Sequence, residues 1–405
     1  MRRPDLADVV SRRRRRTSVT AVAAALAGSI AVVGAVSLWP RVVDTPPAGP
    51  TLPTASRQVT TSTQTATSIP SAGPLFGEPT GVVLMFDDGY DSVLAVDPDA
   101  RIGTRSIIEG QRVGDQPYRI TVVDDHLVVG WGVVSASHLQ TGARTILGEA
   151  TIYVPAAEPG LVWLVDWTGG RINQGTVTAW QVTMEGEQLT EPTEIDMDGI
   201  PAIGVPGGLA VETDDGIRLW YLDGRASDFR LGDGPAFVFD VAGDLLAYCE
   251  GQPCTDVLIV DLTTQRTIAG GHFLDPYSGR FSPDGSQFAL ATADGVFLVG
   301  IASGEIDLVT DAERPEEAAW RLAWAPDGRQ LFANWGTGQQ QATIVRYDLD
   351  SRIADEVTLP FRAGFGFVVV ERSQVGSYLQ DQDQEPADCP PLVGVPSGRL
   401  TTCGF

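Results

Sequence analysis

The chain has 405 residues and carries 28 basic against 52 acidic side chains, a formal net charge of −24 at neutral pH. Lysine is absent, so Schiff-base chemistry on lysine and the lysine of a phosphate-binding loop are both excluded. The first 16 residues contain seven arginines and two aspartates, and the rest of the chain has a net charge of −29. Because a body this acidic repels phosphates, nucleic acid is not an expected partner.

An apolar segment follows the basic N-terminus. Residues 19–39 contain no charge, and as a helix rising about 1.5 Å per residue they span a hydrocarbon core of about 30 Å. Arg12 to Arg16 precede this segment, so the positive-inside rule leaves the N-terminus in the cytoplasm. The sequence predicts a cytoplasmic segment at 1–16, a transmembrane helix at 17–40, and a single-pass location in the plasma membrane.

A cleaved secretory signal is the alternative to an uncleaved anchor. Ala35-Val36-Ser37 resembles a signal-peptidase site, and Arg12-Arg13 resembles a twin-arginine signal. The apolar run is longer than the ~7–15 residues of a usual signal core, which favours the anchor. In both cases the chain after Trp39 lies outside the cytoplasm.

Residues 41–79 form a linker rich in proline, threonine and serine. Their apolar content is too low to form a core, so the linker is expected to be disordered. A flexible coil of this length averages about 35 Å from end to end. Threonine beside proline is also typical of O-glycosylated stalks, which is the second interpretation.

From Gly81 onward, short apolar strands alternate with turns rich in glycine, aspartate and proline. Strong strand cores recur about every 41 residues. There are seven of them, at residues 82–86, 127–131, 161–165, 208–211, 245–248, 287–290 and 330–333. The sequence therefore predicts an all-β fold, a seven-bladed β-propeller over residues 80–372.

A ring of blades also needs a closing strand. The first unit begins directly at a strand core, whereas residues 366–371 form a lone strand after the last complete unit. Pairing this strand with the first unit completes a four-stranded blade and removes an open sheet edge. We therefore expect the first blade to combine both ends of the propeller.

Two segments in the C-terminal half repeat one pattern. Phe281-Ser282-Pro283-Asp284-Gly285 is matched by Trp324-Ala325-Pro326-Asp327-Gly328, and an apolar strand follows each. These units resemble the WD40-like PD40 repeat of TolB-type β-propellers, over about residues 237–360. The resemblance implies a binding scaffold and carries over no catalytic residue. In that repeat, Pro283-Asp284-Gly285 and Pro326-Asp327-Gly328 are tight turns between the two inner strands.

Four cysteines follow the apolar segment and fall into two local pairs. Cys249 and Cys254 flank a strand-to-strand turn, where the Cα separation permits a bridge. Cys389 and Cys403 lie in a polar C-terminal tail at 373–405 and would close a loop of 15 residues. We predict Cys249–Cys254 and Cys389–Cys403 disulfides rather than a metal site, because no histidine is near these cysteines in sequence.

Other candidate chemistry is sparse. His126 follows two aspartates and His138 follows a serine, and both are interpreted as solvated turn residues. Acidic pairs that could hold Ca²⁺ lack EF-hand spacing and are also interpreted as solvated turns; they are Asp87-Asp88, Asp214-Asp215 and Glu316-Glu317. Tryptophans near strand ends either form a ligand platform or pack between blades; they are Trp163, Trp167, Trp324 and Trp335. No catalytic residue, cofactor or metal ligand is predicted.

These observations favour a membrane-anchored, extracytoplasmic propeller that binds a protein, a peptide or a cell-envelope component without catalysis. The alternative is a cell-envelope hydrolase or lyase that uses carboxylates at the propeller channel. The sequence contains no Gly-x-Ser-x-Gly nucleophile elbow, which favours the binding function.

Overall fold

The structure is a computed structural model that describes residues 73–87, 92–107, 119–168, 176–195, 199–224, 226–231, 235–251, 253–310, 319–336, 341–362, 366–376 and 401–404. The predicted cytoplasmic segment, the predicted transmembrane helix and the linker up to residue 72 lie outside these ranges. Among the residues that are described, no helix is long and apolar enough to cross a membrane.

The described chain is all-β apart from one 3-10 turn, η1 (Arg372–Gln374). In chain order the strands are β1 (Val82–Asp87), β2 (Ser92–Asp97), β3 (Ile102–Ile107), β4 (Arg119–Val123), β5 (His126–His138), β6 (Arg144–Ala150), β7 (Ile152–Pro155), β8 (Leu161–Thr168), β9 (Thr176–Thr183), β10 (Thr193–Glu194), β11 (Ile200–Val205), β12 (Gly208–Thr213), β13 (Gly216–Tyr221), β14 (Ala226–Leu231), β15 (Ala236–Ala242), β16 (Leu245–Glu250), β17 (Asp256–Asp261), β18 (Arg266–His272), β19 (Ser278–Phe281), β20 (Gln287–Thr292), β21 (Gly295–Gly300), β22 (Ile306–Thr310), β23 (Ala319–Trp324), β24 (Gln330–Gly336), β25 (Gln341–Asp348), β26 (Ile353–Arg362), β27 (Phe367–Glu371) and β28 (Thr401–Gly404).

The strands form seven antiparallel sheets, and each sheet is one blade of a propeller. Blades 1 to 7 are β27-β1-β2-β3-β28, β4-β5-β6, β7 to β10, β11 to β14, β15 to β18, β19 to β22, and β23 to β26. The first strands of neighbouring blades contact one another around the ring, except that β7 meets β5 of blade 2, so these inner strands surround a central channel. The predicted seven-bladed propeller is confirmed, and every predicted strand core belongs to the second strand of a blade.

The blades pack face to face on apolar side chains. The described residues form seven buried apolar clusters, one between each pair of adjacent blades. In β1, Leu84 faces blade 7 and Met85 faces blade 2, so both faces of the strand are buried. A strand buried on both faces needs a continuous apolar run rather than alternation, which explains the strong sequence signal of the second strands.

Blade 2 contains three continuous strands, but its strand β5 folds back on itself. Leu139 N–H donates to Asp125 O at 2.8 Å, and a Cβ placed on Gly130 would lie 2.5 Å from Val133 O. Gly132, in the left-handed region with φ 82°, lies at the bend. Residues 126–130 of β5 pair with β4, and residues 132–137 pair with β6. Blade 2 therefore has the same order of four strand segments as blades 3 to 7.

The ring closes where the first and the last strands of the propeller sequence pair. β27 pairs with β1 from Val82↔Glu371 to Phe86↔Phe367, and the two phenylalanine rings stack at 5.1 Å. The predicted closure is therefore confirmed. An arm before β1 adds a second contact, because the Phe76 ring packs on Phe332 of blade 7 at 6.1 Å.

A short strand from the C-terminal tail joins blade 1. β28 pairs with β3, with Thr401 opposite Arg105 and Gly404 opposite Ile102. Blade 1 therefore has five strands, and its outer edge is covered by residues that sequence analysis assigned to the tail.

The propeller has two ends. The turn end carries the turns between first and second strands and between third and fourth strands. The loop end carries the second-to-third turns and the connections between blades. Left-handed residues recur at the turn end. In the first-to-second turns of blades 2 to 7 they are Asp124, Gly160, Gly207, Gly243, Gly285 and Gly328. In the third-to-fourth turns of all seven blades they are Arg101, Gly142, Gly186, Gly224, Gln265, Gly304 and Arg352.

Candidate functional site in the central channel

Four charged side chains on successive blades interact from one blade to the next, since Arg280 lies 3.9 Å from Asp240 and Arg321 interacts with both Arg280 and Asp87. They are Asp240 on β15, Arg280 on β19, Arg321 on β23 and Asp87 at the end of β1, and we call them the ion row. Three of the four stand on inner strands, at sequence intervals of about 40 residues. The propeller repeat therefore brings them together.

Asp240 and Arg280 connect blades 5 and 6. Arg280 Nη1 donates to Phe239 O at 2.9 Å and lies 3.9 Å from Asp240 Oδ1, while Phe281 N–H donates to Asp240 Oδ2 at 2.8 Å. Asp240 is 18% exposed, and burial raises the pKa of its carboxyl against the opposing effects of Arg280 and the backbone N–H groups of Phe281 and Val241. The Arg280 guanidinium is thus held by backbone and carboxylate oxygens.

Arg321 and Asp87 continue the row across blades 7 and 1. Burial and the nearby Arg280 lower the pKa of the Arg321 guanidinium, and Asp87 opposes that shift. Asp87 is buried, and its Oδ2 accepts a hydrogen bond from Gly366 N–H just before β27. Two positive charges in a half-buried channel, flanked by two acids, can bind a polar or ionic group of a ligand.

The tryptophans considered as a ligand platform and Phe237, which precedes Asp240 on β15, are unevenly exposed. Phe237, at the loop-end start of β15, is 43% exposed. Trp324 is buried and its Nε1–H donates to Arg280 O at 3.1 Å. Trp163 and Trp167 are also buried between blades, so a platform of exposed tryptophans is wrong for these three; the side chain of Trp335 lies outside the described set.

The two Pro-Asp-Gly turns lie at the turn end of blades 6 and 7. Gly285 and Gly328 have φ of 68° and 71°, and Pro283 and Pro326 precede the aspartates. Asp284 Oδ1 accepts from Ser286 N–H at 3.0 Å, and Asp327 Oδ1 accepts from Arg329 N–H at 2.9 Å. Both aspartates therefore serve the geometry of their own turns.

One of the two cysteine pairs is a disulfide in the structure. Cys249 at the end of β16 is bonded to Cys254 before β17, with a Cα separation of 5.7 Å. Cys389 lies outside the described residues. Cys403 is opposite Gly103 in the β28–β3 ladder, but its side chain is not described, so the Cys389–Cys403 bridge stays a prediction.

The structure brings His126 and His138 together, which sequence analysis did not predict. Their rings are 5.0 Å apart, and both approach Asp125: His126 Nδ1 lies 2.7 Å from Oδ1 and His138 Nε2 lies 3.2 Å from Oδ2. His272 is separate and exposed, with Nδ1 3.0 Å from Asp256 Oδ1. Within the described residues, no group of three or more histidines, cysteines and acids is arranged to hold a metal ion.

Of the acidic pairs, Asp214-Asp215 is a turn as predicted. The predicted solvated turn is wrong for Asp87, because this residue ends β1, is buried and accepts a hydrogen bond from Gly366 N–H. Asp215 accepts hydrogen bonds from Thr213 Oγ1 at 2.6 Å and from Arg218 Nη2 at 3.0 Å. Asp88 and the pair Glu316-Glu317 lie outside the described residues. The signal for the ion row was the recurrence of charge at about 40 residues, but a charged residue on an inner strand cannot be distinguished from a solvated one by sequence alone.

No protein-family model and no curated protein sequence matches the chain. Solved structures similar to it include apo AztD from Citrobacter koseri, with 13% identity and a TM-score of 0.45 over 71% of this chain and 89% of that one. The C-terminal WD40 domain of Sif2 has 14% identity and a TM-score of 0.40 over 65% and 80% of the two chains. TolB from Acinetobacter baumannii has 10% identity and a TM-score of 0.42 over 71% and 65%. The architecture itself rests on the strand pairing described above.

Proposed function

We propose that the protein is a non-catalytic binding module that recognises a protein, peptide or cell-envelope component at the ion row. The body is anchored to the plasma membrane by the segment at 17–40 and lies outside the cytoplasm. This location is supported by the uncharged segment and its arginine flank in the sequence.

The observation that carries the proposal is the fixed position of Arg280. Three groups hold its guanidinium: Phe239 O at 2.9 Å, Gly279 O at 3.2 Å and the carboxylate of Asp240 at 3.9 Å. A guanidinium oriented before binding loses little conformational entropy when a ligand arrives, which favours specific recognition. The acidic exterior in turn favours partners with basic patches, which approach faster at low salt.

The two acids of the row already hold structural partners. Asp240 accepts from Phe281 N–H and Asp87 accepts from Gly366 N–H, so each carboxylate joins adjacent strands or blades. One observation favours the alternative, a cell-envelope hydrolase or lyase, because a buried carboxyl with a raised pKa has the property of a general acid. Asp240 is the residue that would carry such chemistry.

Binding is tested with the full-length protein in detergent, immobilised and exposed to envelope extract. We expect Arg280→Gln to reduce retention of the partner about tenfold, as for loss of a charged hydrogen bond. Arg266→Gln, on the exposed outer strand of blade 5, is the matched control and should have no effect. If both variants retain the partner as the native protein does, the channel is not the binding site.

The enzyme alternative predicts turnover that depends on Asp240. If the protein hydrolyses or cleaves an envelope polymer, and Asp240→Asn abolishes that reaction without unfolding the propeller, the non-catalytic proposal is wrong. The anchor is tested separately by membrane fractionation and N-terminal sequencing. A soluble mature chain that begins near Leu38 would replace the anchor with a cleaved signal.

A further inference from the structure

Several third-to-fourth turns at the turn end share one construction. The last residue of the third strand caps the turn, because its side chain accepts backbone N–H groups two or three residues later. In blades 1, 5 and 7 the cap is a carboxylate, with acceptor distances of 2.8 to 3.0 Å; the residues are Asp97, Asp261 and Asp348.

Blade 2 has His138 in the place of these aspartates. Its Nδ1 accepts from Gln140 N–H at 3.1 Å and from Thr141 N–H at 3.4 Å. The backbone of the turn is the same, because Gly142 N–H donates to His138 O at 2.8 Å as Gln265 N–H does to Asp261 O. An imidazole nitrogen accepts only through a free lone pair, so the hydrogen-bond network assigns the ring proton to Nε2, on the side of Asp125.

This turn holds the segment that follows the closing strand. Leu139 is fully buried in one cluster with Val375. The Gln140 amide, oriented with its nitrogen toward the carbonyls, donates to Ser373 O and Gln374 O at 3.1 Å each. The turn of blade 2 is therefore the docking point of the segment 372–376, which follows the closing strand β27.

We propose that this turn is a pH-operated latch: protonation of His138 on Nδ1 opens the turn at 138–142 and frees residues 372–376 from it. An imidazolium donates from both nitrogens and accepts at neither, so the N–H groups of Gln140 and Thr141 lose their acceptor and face a proton. In the turns capped by aspartate, the carboxylate oxygens still accept these hydrogen bonds at the same pH. Hydrogen bonds from the capped turns hold the pKa of Asp261 and Asp348 below the usual range.

Polar groups face both ring nitrogens of His138. Asp125 Oδ2 lies 3.2 Å from Nε2, and the N–H groups of Gln140 and Thr141 point at Nδ1 as long as the turn stays closed, which leaves no room for a proton on that nitrogen. Proton uptake and opening of the turn are therefore coupled. Among the described residues, further charged groups near this turn are Asp124, His126, Arg144 on the paired strand β6, Arg372 and the Asp97 that binds Arg372. Arg144 Nε donates to Ser135 Oγ at 3.2 Å, and Arg372 Nε lies 2.8 Å from Asp97 Oδ2.

Hydrogen exchange of the full-length protein, followed by mass spectrometry, tests the latch. We compare about pH 7.5 with about pH 5.5, across the range in which histidines titrate, after correcting for the intrinsic exchange rate. Peptides covering 138–143 and 372–376 should exchange at least about fivefold faster at the lower pH. Peptides covering 261–265 and 348–352, from turns with carboxylate caps, should not change.

Substitution of each histidine in turn identifies the group that responds to pH. His138→Asn keeps an oxygen acceptor that does not titrate, so the turn should stay protected at both pH values. His126→Gln should leave the pH response in place, and His272→Asn is the control for an exposed histidine. The latch is refuted if the native protein shows equal protection at both pH values, or if His138→Asn retains the response. The first comparison needs no variant, so a folding defect cannot obscure the outcome.

Discussion

The Asp87 carboxylate accepts a hydrogen bond from the backbone N–H of Gly366, 279 residues further along the chain. The backbone N–H of Asp87 donates in return to Gly366 O at 3.2 Å. Two residues near the N-terminal and C-terminal limits of the propeller sequence are thereby joined beside the β1–β27 ladder. One acid of the ion row is therefore also part of the ring closure, and the binding site and the closure share a residue.

Gly366→Ala should weaken the ring closure. A Cβ at this position would lie 2.6 Å from Asp87 Oδ2 and 2.7 Å from Ile120 Cγ1. Overpacking of this kind costs about 1–3 kcal/mol, so the thermal midpoint should fall by several degrees. Gly73→Ala is the matched control, because no atom lies within 4 Å of its added Cβ. Equal midpoints for the two variants would contradict the closure contact.

Gln265→Gly and Arg352→Gly should each stabilise the protein. Both residues are left-handed, with φ of 57° and 58°, at turns where other blades have glycine. Relief of this strain, less the added freedom of the unfolded chain, should raise the unfolding free energy by about 0.5–1 kcal/mol. Gly304→Ala tests the reverse, since its φ is 69° and nothing contacts the added Cβ. Chemical denaturation should show a higher unfolding free energy for the two glycine variants and a lower one for Gly304→Ala. A lower unfolding free energy for Gln265→Gly would contradict the expected relief of strain.

Asp240 and Asp284 should affect stability with opposite dependence on pH. Burial raises the folded-state pKa of Asp240 above the ordinary 3.8, so its ionisation costs the folded state stability as pH rises through that pKa. Hydrogen bonds from Ser282 and Ser286 lower the pKa of Asp284, so its stabilisation is present above 3.8 and is lost as pH falls.

The test is the unfolding free energy of Asp240→Asn and Asp284→Asn as a function of pH. Relative to the native protein, Asp240→Asn should become more stable as pH rises above about 4. Asp284→Asn should become less stable than the native protein as pH rises through the acidic range, because only the native protein gains the stabilisation of an ionised Asp284. Parallel curves for the two variants would contradict the assigned causes.

The Cys249–Cys254 bond should stabilise blade 5 independently of the tail. In the chain-entropy model a loop this short contributes about 2 kcal/mol, so replacing both cysteines by serine should lower the unfolding free energy by about that amount. Mass spectrometry of a non-reduced digest should show this link and a second link between Cys389 and Cys403. Free thiols at the second pair would refute the tail bridge and leave the first unaffected.

The sequence revealed those parts of the fold that need a continuous pattern. Second strands such as β1 are buried on both faces, so their apolar runs are unbroken, and the lone strand at 366–371 identified the closure. Only two first-to-second turns carry Pro-Asp-Gly. The equivalent turns at Gly160 and Gly207 keep only the left-handed glycine, which is too common a residue to identify a repeat.

The sites depend on contacts that no local pattern encodes. His126 and His138 meet because β5 folds back at Gly132, and a shift of one residue in that register would separate them. Four residues of β28 are too few to predict a strand. The ion row depends on which residues of an inner strand face the channel, which follows from blade packing.

Binding at the channel is tested most directly by photo-crosslinking in intact envelopes. A photoreactive amino acid replaces Phe237, which is 43% exposed at the loop-end mouth, and in a matched variant it replaces Ile146, which is 65% exposed on β6. We expect an adduct from position 237 that Arg280→Gln reduces at least about fivefold, and no adduct from position 146. An equal yield at both positions, no adduct at 237, or a yield that Arg280→Gln leaves unchanged would contradict a binding site in the channel.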